Sequence, residues 1–159
     1  MKIGIVGHGA DKFDERSKED AKKAIKNILV YGDSRIFGKV PKAKDVVLVS
    51  GHSPVGGIDL WAEEEAKNLG YEMDLKIPKQ HTWDAEYGYK QRNLDIARDS
   101  DEVWVILVDK YPQDYKGMRF AKCYHCNTSD HVKSGGCWTG KQAEKLGKKV
   151  FWHIIKQED

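Results

Sequence analysis

The sequence predicts an α/β fold, a parallel sheet with helices packed on both faces. Three observations point there. Residues 46–49 (Val-Val-Leu-Val) and 103–108 (Val-Trp-Val-Ile-Leu-Val) are unbroken β-compatible apolar runs, which is how strands buried on both sides read. Strand candidates alternate along the chain with stretches whose apolar residues recur at helical spacing, and that alternation implies parallel pairing through right-handed crossovers. Strand ends run into glycine-rich turns, at Gly7-His8-Gly9 and at Ser50-Gly51-His52-Ser53-Pro54-Val55-Gly56-Gly57, which stop one element and let the next begin.

Bulk properties bound the answer. A chain of 159 residues has the length of one domain with a sizeable core, so a single domain over 1–159 is expected. The 27 Lys+Arg against 25 Asp+Glu leave a formal charge of +2, too balanced to imply a polyanionic partner by itself. No apolar run approaches the roughly 20 residues of a membrane span, and the N-terminus enters a strand rather than a signal-peptide pattern. A cytoplasmic protein with no membrane partner is the expectation. The three cysteines all lie between 123 and 137, an odd and local set that suits a metal site better than a disulfide framework.

The elements follow in order. Residues 2–6 read as a first strand. From 17 to about 29, Ala21, Ala24, Ile25, Ile28 and Leu29 form one helical stripe with a lysine-rich outer face. Residues 31–45, with two glycines, a proline and mixed charge, read as a connecting loop without chemistry. After the strand at 46–49, Ile58, Ala62, Ala66 and Leu69 make a second stripe that Gly70 stops. Residues 71–77 are a third strand, ended by Pro78. A helix over 85–99 carries Leu94 and Ala97, with Tyr87 as a further apolar position, and leads into the strand at 103–108. The polar and aromatic run 109–134 breaks the rhythm and reads as an insertion. Gly135 to Thr139 opens a last helix containing Ala143 and Leu146, and 150–155 is a final strand. No internal repeat or low-complexity tract is visible.

The turns suggest chemistry. A strand, a glycine-rich turn and a helix in that order can cradle a phosphate, because glycine lets the backbone approach closely and the helix N-terminus attracts an anion. Ser50, Gly51, Ser53, Gly56 and Gly57 make the central turn of this kind; the competing reading is that Gly56 and Gly57 only form a tight bend. Gly7 offers a second close approach, and His8 beside it is either hydrogen-bonded to a ligand or solvated. Asp59, in the first turn of a helix, complements the helix dipole or accepts a sugar hydroxyl, and the two roles are compatible. Arg92, next to Asn93, would clamp a phosphate if its helix faces these turns; otherwise it pairs with Asp95 or Glu86. Trp83 stacks on a base or simply packs.

Taken together, the N-terminal strand with Gly7-His8-Gly9, the segment SGHSPVGGIDLWAEEEA at 50–66, the Gln91-Arg92-Asn93 triplet and the Ser134-Gly135-Gly136-Cys137-Trp138-Thr139 turn resemble the SLOG superfamily, and within it the YspA-like group. That superfamily joins the lonely-guy phosphoribohydrolases and the DprA-type proteins. The resemblance covers most of the chain except 109–134. It implies a Rossmann-like parallel sheet of about five strands whose glycine-rich turns bind a nucleotide or nucleotide-derived ligand, with Gly135, Gly136 and Thr139 joining the residues above around it. The lonely-guy enzymes carry a PGGxGT turn followed closely by glutamate, and an arginine on a neighbouring helix, for N-glycosidic bond hydrolysis. Here Trp138 replaces a glycine of that turn and Arg92 resembles the arginine. Gly140, Lys141 and Gln142 stand where acids are expected, and Glu144 comes late. Glu63, Glu64 or Glu65 is the alternative source of a carboxylate. The resemblance to lonely-guy enzymes also implies a homodimer.

The spacing Cys123-x2-Cys126-x4-His131-x5-Cys137 resembles a zinc knuckle with one extra residue before the last cysteine. Zinc takes four such ligands tetrahedrally, and His125 is the alternative to His131. Four protein ligands leave no open position, so the ion would be structural and pin the insertion against the Ser134-Gly135-Gly136 turn. Two functions follow: binding of a nucleotide-like small molecule, as sensor or N-glycosidic hydrolase, or a zinc-containing nucleic-acid-binding module, favoured by the Lys, Arg and Tyr content of 110–133.

Overall fold

The computed structural model describes residues 1–32, 43–83 and 88–157. The chain runs β1 (Lys2–Gly7), α1 (Glu15–Tyr31), β2 (Val47–Ser50), α2 (Ile58–Leu69), β3 (Glu72–Leu75), α3 (Tyr89–Asp99), β4 (Glu102–Val108), α4 (Gly135–Lys145) and β5 (Lys149–Ile155). All strand pairs are parallel, in the order β3-β2-β1-β4-β5. This is the expected Rossmann-like α/β arrangement, five strands flanked by four helices. The chain leaves β1 towards β2 on one side and reaches β4 on the other, so the order reverses beside β1. In open α/β sheets such a switch opens a crevice at the carboxyl ends of the strands. Among the described residues no helix is long and apolar enough to cross a membrane.

Alternation along the strands divides the core into two layers. Ile3 and Ile5 of β1, with Ile106 and Val108 of β4, pack under Ala21, Ile25 and Leu29 of α1 and Ile58, Ala62 and Ala66 of α2. Val6 of β1, with Val103, Val105 and Leu107 of β4, packs under Ile96 and Ala97 of α3 and Cys137 and Ala143 of α4. Helix ends follow local chemistry. Asp14 and Ser17 cap α1 reciprocally, the Ser17 N–H donating to Asp14 Oδ1 at 2.8 Å and the Asp14 N–H to Ser17 Oγ at 2.9 Å. Gly70 ends α2 in the left-handed region, at φ 77°.

Three boundaries depart from expectation. The strand expected at 71–77 shortens to Glu72–Leu75, because Tyr71 turns into the core and its hydroxyl donates to the Leu29 carbonyl at 3.0 Å. Helix α3 begins at Tyr89 rather than 85; residues 84–87, with Tyr87, lie outside the described residues. Its inner face is Asn93, Ile96 and Ala97 rather than Leu94, so the stripe is turned towards the arginine side. The loop expected at 31–45 falls mostly outside the described residues, and Ala43–Asp45 forms a 3-10 turn.

Segment 109–134 holds itself together. Tyr111 and Tyr115 stack at 4.7 Å, and Arg119 lies over both rings while its Nη2 donates to the carbonyls of Pro112, Gln113 and Tyr115. The segment returns to the sheet where the Val132 N–H donates to the Val108 carbonyl at 2.9 Å.

Candidate functional site: a crevice beside a cysteine-histidine cluster

A crevice of about 600 Å³ opens at the carboxyl ends of β1 and β2, between α3 and the N-terminus of α4. That volume suits a small-molecule ligand. Of the residues singled out in the sequence, it brings together Gly7, Ser53, Asp59, Arg92, Asn93, Gly135, Gly136 and Thr139. Val6, Pro54, Val55, Ile96, Trp83, Tyr89, Tyr124, His125 and Lys133 complete the lining.

Each polar group is held by its neighbours. Arg92, on the first turn of α3, reaches across to β2: Nη1 donates to the Gly51 carbonyl at 2.6 Å and Nε to Asn93 Oδ1 at 2.8 Å, with the guanidinium 5.0 Å from the Tyr89 ring centroid. A Cβ at position 51 would stand 2.6 Å from Arg92 Nη1, so Gly51 serves the site by making room for the arginine. Burial lowers the Arg92 pKa, and the nearby Asp59 works against that shift. Asp59 is buried and its Oδ2 accepts the Ser53 N–H at 3.1 Å. Burial pushes its pKa up to about 6 even though Arg92 pulls the other way, which makes it a carboxyl group able to exchange a proton near neutrality.

Among the described residues, the start of α4 is the one helix end that meets the crevice through glycines. Ser134 caps it by accepting the Gly136 N–H at 3.0 Å, and no acidic residue occupies its first turn. A Cβ on Gly136 would lie 2.9 Å from the Gly7 nitrogen, so glycine is needed for the helix to approach β1 this closely. Thr139 Oγ1 donates back to the Gly135 carbonyl at 3.0 Å. The first N–H groups of a helix and its positive dipole end suit an anion.

Five of the candidates do not line the crevice. His8 is 4 % exposed; its Nδ1 accepts the Val108 N–H at 3.2 Å and its Nε2 donates to the Val132 carbonyl at 3.0 Å. Burial lowers its pKa to about 4, so it is a neutral core histidine that fastens segment 109–134 to β4, neither solvated nor ligand-facing. The Ser50 hydroxyl donates to Glu63 Oε2 at 2.7 Å, and His52 Nδ1 lies 2.6 Å from Glu63 Oε1. Glu63 therefore locks the turn, holding His52 at φ 50°. Gly51 yields its space to Arg92. Gly56 and Gly57 adopt φ 73° and 76°, and a Cβ on Gly57 would meet the His8 carbonyl oxygen at 2.4 Å. The Ile58 N–H donates to that same carbonyl at 3.1 Å. At Gly57 and Ile58 the start of α2 is thus packed against the protein's own backbone, and Gly56 and Gly57 form a tight bend outside the crevice lining.

The cysteine cluster assembles beside the crevice. The ligand atoms of Cys123, Cys126, His131 and Cys137 all lie within 4.8 Å of one another, close enough to bind a metal ion. Cys123 and Thr128 pair as an antiparallel bridge, Asn127 turns the chain at φ 64°, and its N–H donates to the Cys123 carbonyl at 2.7 Å. This aims the thiols of Cys123 and Cys126 at one point. Cys126 Sγ and His131 Nε2 are 3.4 Å apart, near the roughly 3.6 Å edge of a tetrahedral zinc site. Asp130 Oδ1 sits 2.8 Å from His131 Nδ1, the outer carboxylate that orients a metal-binding imidazole. Burial, together with the neighbouring thiols, pushes the Cys137 thiol up, so a bound cation would be needed to ionise it. His125 is outside the cluster and faces the crevice instead.

The lining residues that sequence reasoning missed are Tyr89, Tyr124, His125 as a crevice residue, and Lys133. For Tyr124 and His125 the signal is their place between Cys123 and Cys126; Tyr89 and Lys133 carry none.

No protein-family model and no curated protein matches the chain. The molybdenum cofactor carrier protein from Chlamydomonas reinhardtii has a similar solved structure: the match has a TM-score of 0.56 at 17% identity and covers 98% of this chain and 77% of that one. At this identity the likeness shows the fold, a Rossmann-like sheet shared across nearly the whole chain.

Proposed function

We propose that the chain is a SLOG-type protein that binds a nucleotide or nucleotide-derived small molecule, its anionic group held between Arg92 and the N-terminus of α4. The observation that carries this is the convergence of Arg92, Asn93, Gly135, Gly136 and Thr139 on one crevice at the carboxyl edge of the sheet. The name of the structural neighbour, a carrier of a cofactor, supports a small-molecule ligand. Zinc is the metal that three cysteines and one histidine favour, with a structural role. Binding without turnover, as sensor or carrier, is the primary reading, because no glutamate follows the α4 turn closely. Any hydrolysis of an N-glycosidic bond would fall to Asp59, the crevice carboxyl with its pKa near 6.

The nucleic-acid alternative is weaker. Arg119 is committed to three carbonyls and two rings of its own segment, so the basic and aromatic content of 109–134 works largely to hold that loop.

The test is thermal stability of the metal-analysed protein against adenosine monophosphate, ribose 5-phosphate and ADP-ribose. A melting temperature that rises with at least one of them is expected, and Arg92→Ala should weaken that ligand by roughly tenfold or more. No rise with any of the three overturns the nucleotide reading.

A further inference from the structure

Three aromatic rings of the crevice lining, Trp83, His125 and Tyr124, form a continuous row, backed at one end by Trp138. The Trp83 ring lies 5.1 Å from Trp138 and 5.5 Å from His125, and His125 lies 4.6 Å from Tyr124. Trp83 and Tyr124 are 47% and 57% exposed, although each lines a concave site. Large aromatic surface left open in a crevice is surface for a ligand. The Lys133 ammonium, itself part of the lining, stands 5.0 Å from the Tyr124 ring and 4.9 Å from Phe120 at the end of the row. The row touches the anion end of the crevice: the Cβ direction of Gly135 ends 3.8 Å from the Trp83 ring. One ligand can therefore reach both.

From this we infer that the metal loop, together with Trp83 from the segment before α3, forms a stacking subsite for a planar heteroaromatic ring, with Tyr124, His125 and Trp83 as its wall, and that the bound metal ion holds the loop's share of this wall in place. The inference rests on the anion-binding reading above and extends it to the other end of the ligand. Tyr124 and His125 are the two residues between the metal ligands Cys123 and Cys126, and Cys137 ties the same ion to α4 next to Trp138. Regular pairing in the loop is limited to the Cys123–Thr128 bridge. With the ion removed, Tyr124 and His125 rest on ring contacts, the Lys133 ammonium and the short Cys123–Thr128 turn, whereas Arg92 and the α4 glycines stand on helices packed against the sheet.

The experiment is calorimetric titration of the metal-replete protein with two probes that share phosphate and ribose, adenosine monophosphate and ribose 5-phosphate. Base stacking predicts that the nucleotide binds roughly tenfold or more tightly than the sugar phosphate. Tyr124→Ala and, separately, chelation of the metal should bring the nucleotide down towards the sugar phosphate, whose own affinity holds. Tyr124→Phe should keep the preference, and metal content measured on each variant separates loss of the ring from loss of the ion. Equal affinity for the two probes, both weakened by Arg92→Ala, would overturn the stacking subsite and leave the anion site standing. A preference that survives both Tyr124→Ala and Trp83→Ala would overturn the assignment of the wall. A preference that survives chelation would overturn the metal's part in it. Binding of neither probe would overturn this inference together with the reading beneath it.

Discussion

Helices α2 and α4 both begin at glycine-rich turns at the carboxyl edge of the sheet, yet only one of those starts meets the crevice through its glycines. At α2, Gly57 is pressed against the His8 carbonyl, the Ile58 N–H is taken by that carbonyl, and Asp59 sits in the first turn as an internal counter-charge. At α4, Ser134 takes one N–H, no acid lies in the first turn, and Gly135 and Gly136 line a 600 Å³ crevice. The lesson is that a glycine-rich helix start is a candidate anion site only where the protein has not already used its donors and its dipole.

Substitutions at the two starts should therefore fail in different ways. Gly57→Ala should have the largest effect. It places a Cβ 2.4 Å from backbone at a positive φ, so urea unfolding should report a loss of about 3 kcal/mol or more.

The pH profile separates the buried groups of this edge. Asp59 has its folded pKa raised to about 6 from 3.8, so the native state binds more protons between those values and stability falls as pH rises through them. His8 has its folded pKa lowered to about 4 from 6.5, so its contribution rises over nearly the same window. The two oppose each other, each on the order of 3 kcal/mol. Asp59→Asn should unmask a stability that climbs steeply from pH 4 to 6.5 where the parent is flatter, measured by denaturant midpoints across pH. A variant with the parent's profile would mean Asp59 titrates normally.

Gly136→Ala comes next. Its Cβ would stand 2.9 Å from the Gly7 nitrogen, at a cost of about 2 kcal/mol, and it should cut ligand affinity out of proportion to that loss. The smallest effect belongs to Gly56→Ala, where a Cβ finds its first neighbour at 3.7 Å and only φ 73° is strained; about 1 kcal/mol is expected, with ligand binding unchanged.

What was legible in the sequence followed the range of the contacts involved. The apolar runs of β2 and β4, the Gly70 stop of α2 and the opening of α4 are set by local pattern, and they stand close to where pattern puts them. Arg92 and the Gly135-Gly136 pair were singled out by residue type, and the fold brings them to one crevice. The role of His8 was not, since its ring is claimed by Val132, 124 residues away. Nor was the filling of the α2 start, which depends on the β1 turn folding over it. The aromatic row was not legible either, because Trp83 and Tyr124 come together through His125 across elements far apart in sequence, and nothing in their spacing announces it.

The most direct test of the central claim is a backbone amide titration by nuclear magnetic resonance, adding adenosine monophosphate to the metal-replete protein. The amides of Gly135, Gly136 and Cys137 should shift together with the Arg92 side chain, while those of Gly56, Gly57 and Ile58 stay in place. Shifts concentrated at Gly56 to Ile58, or at neither helix start, would contradict it.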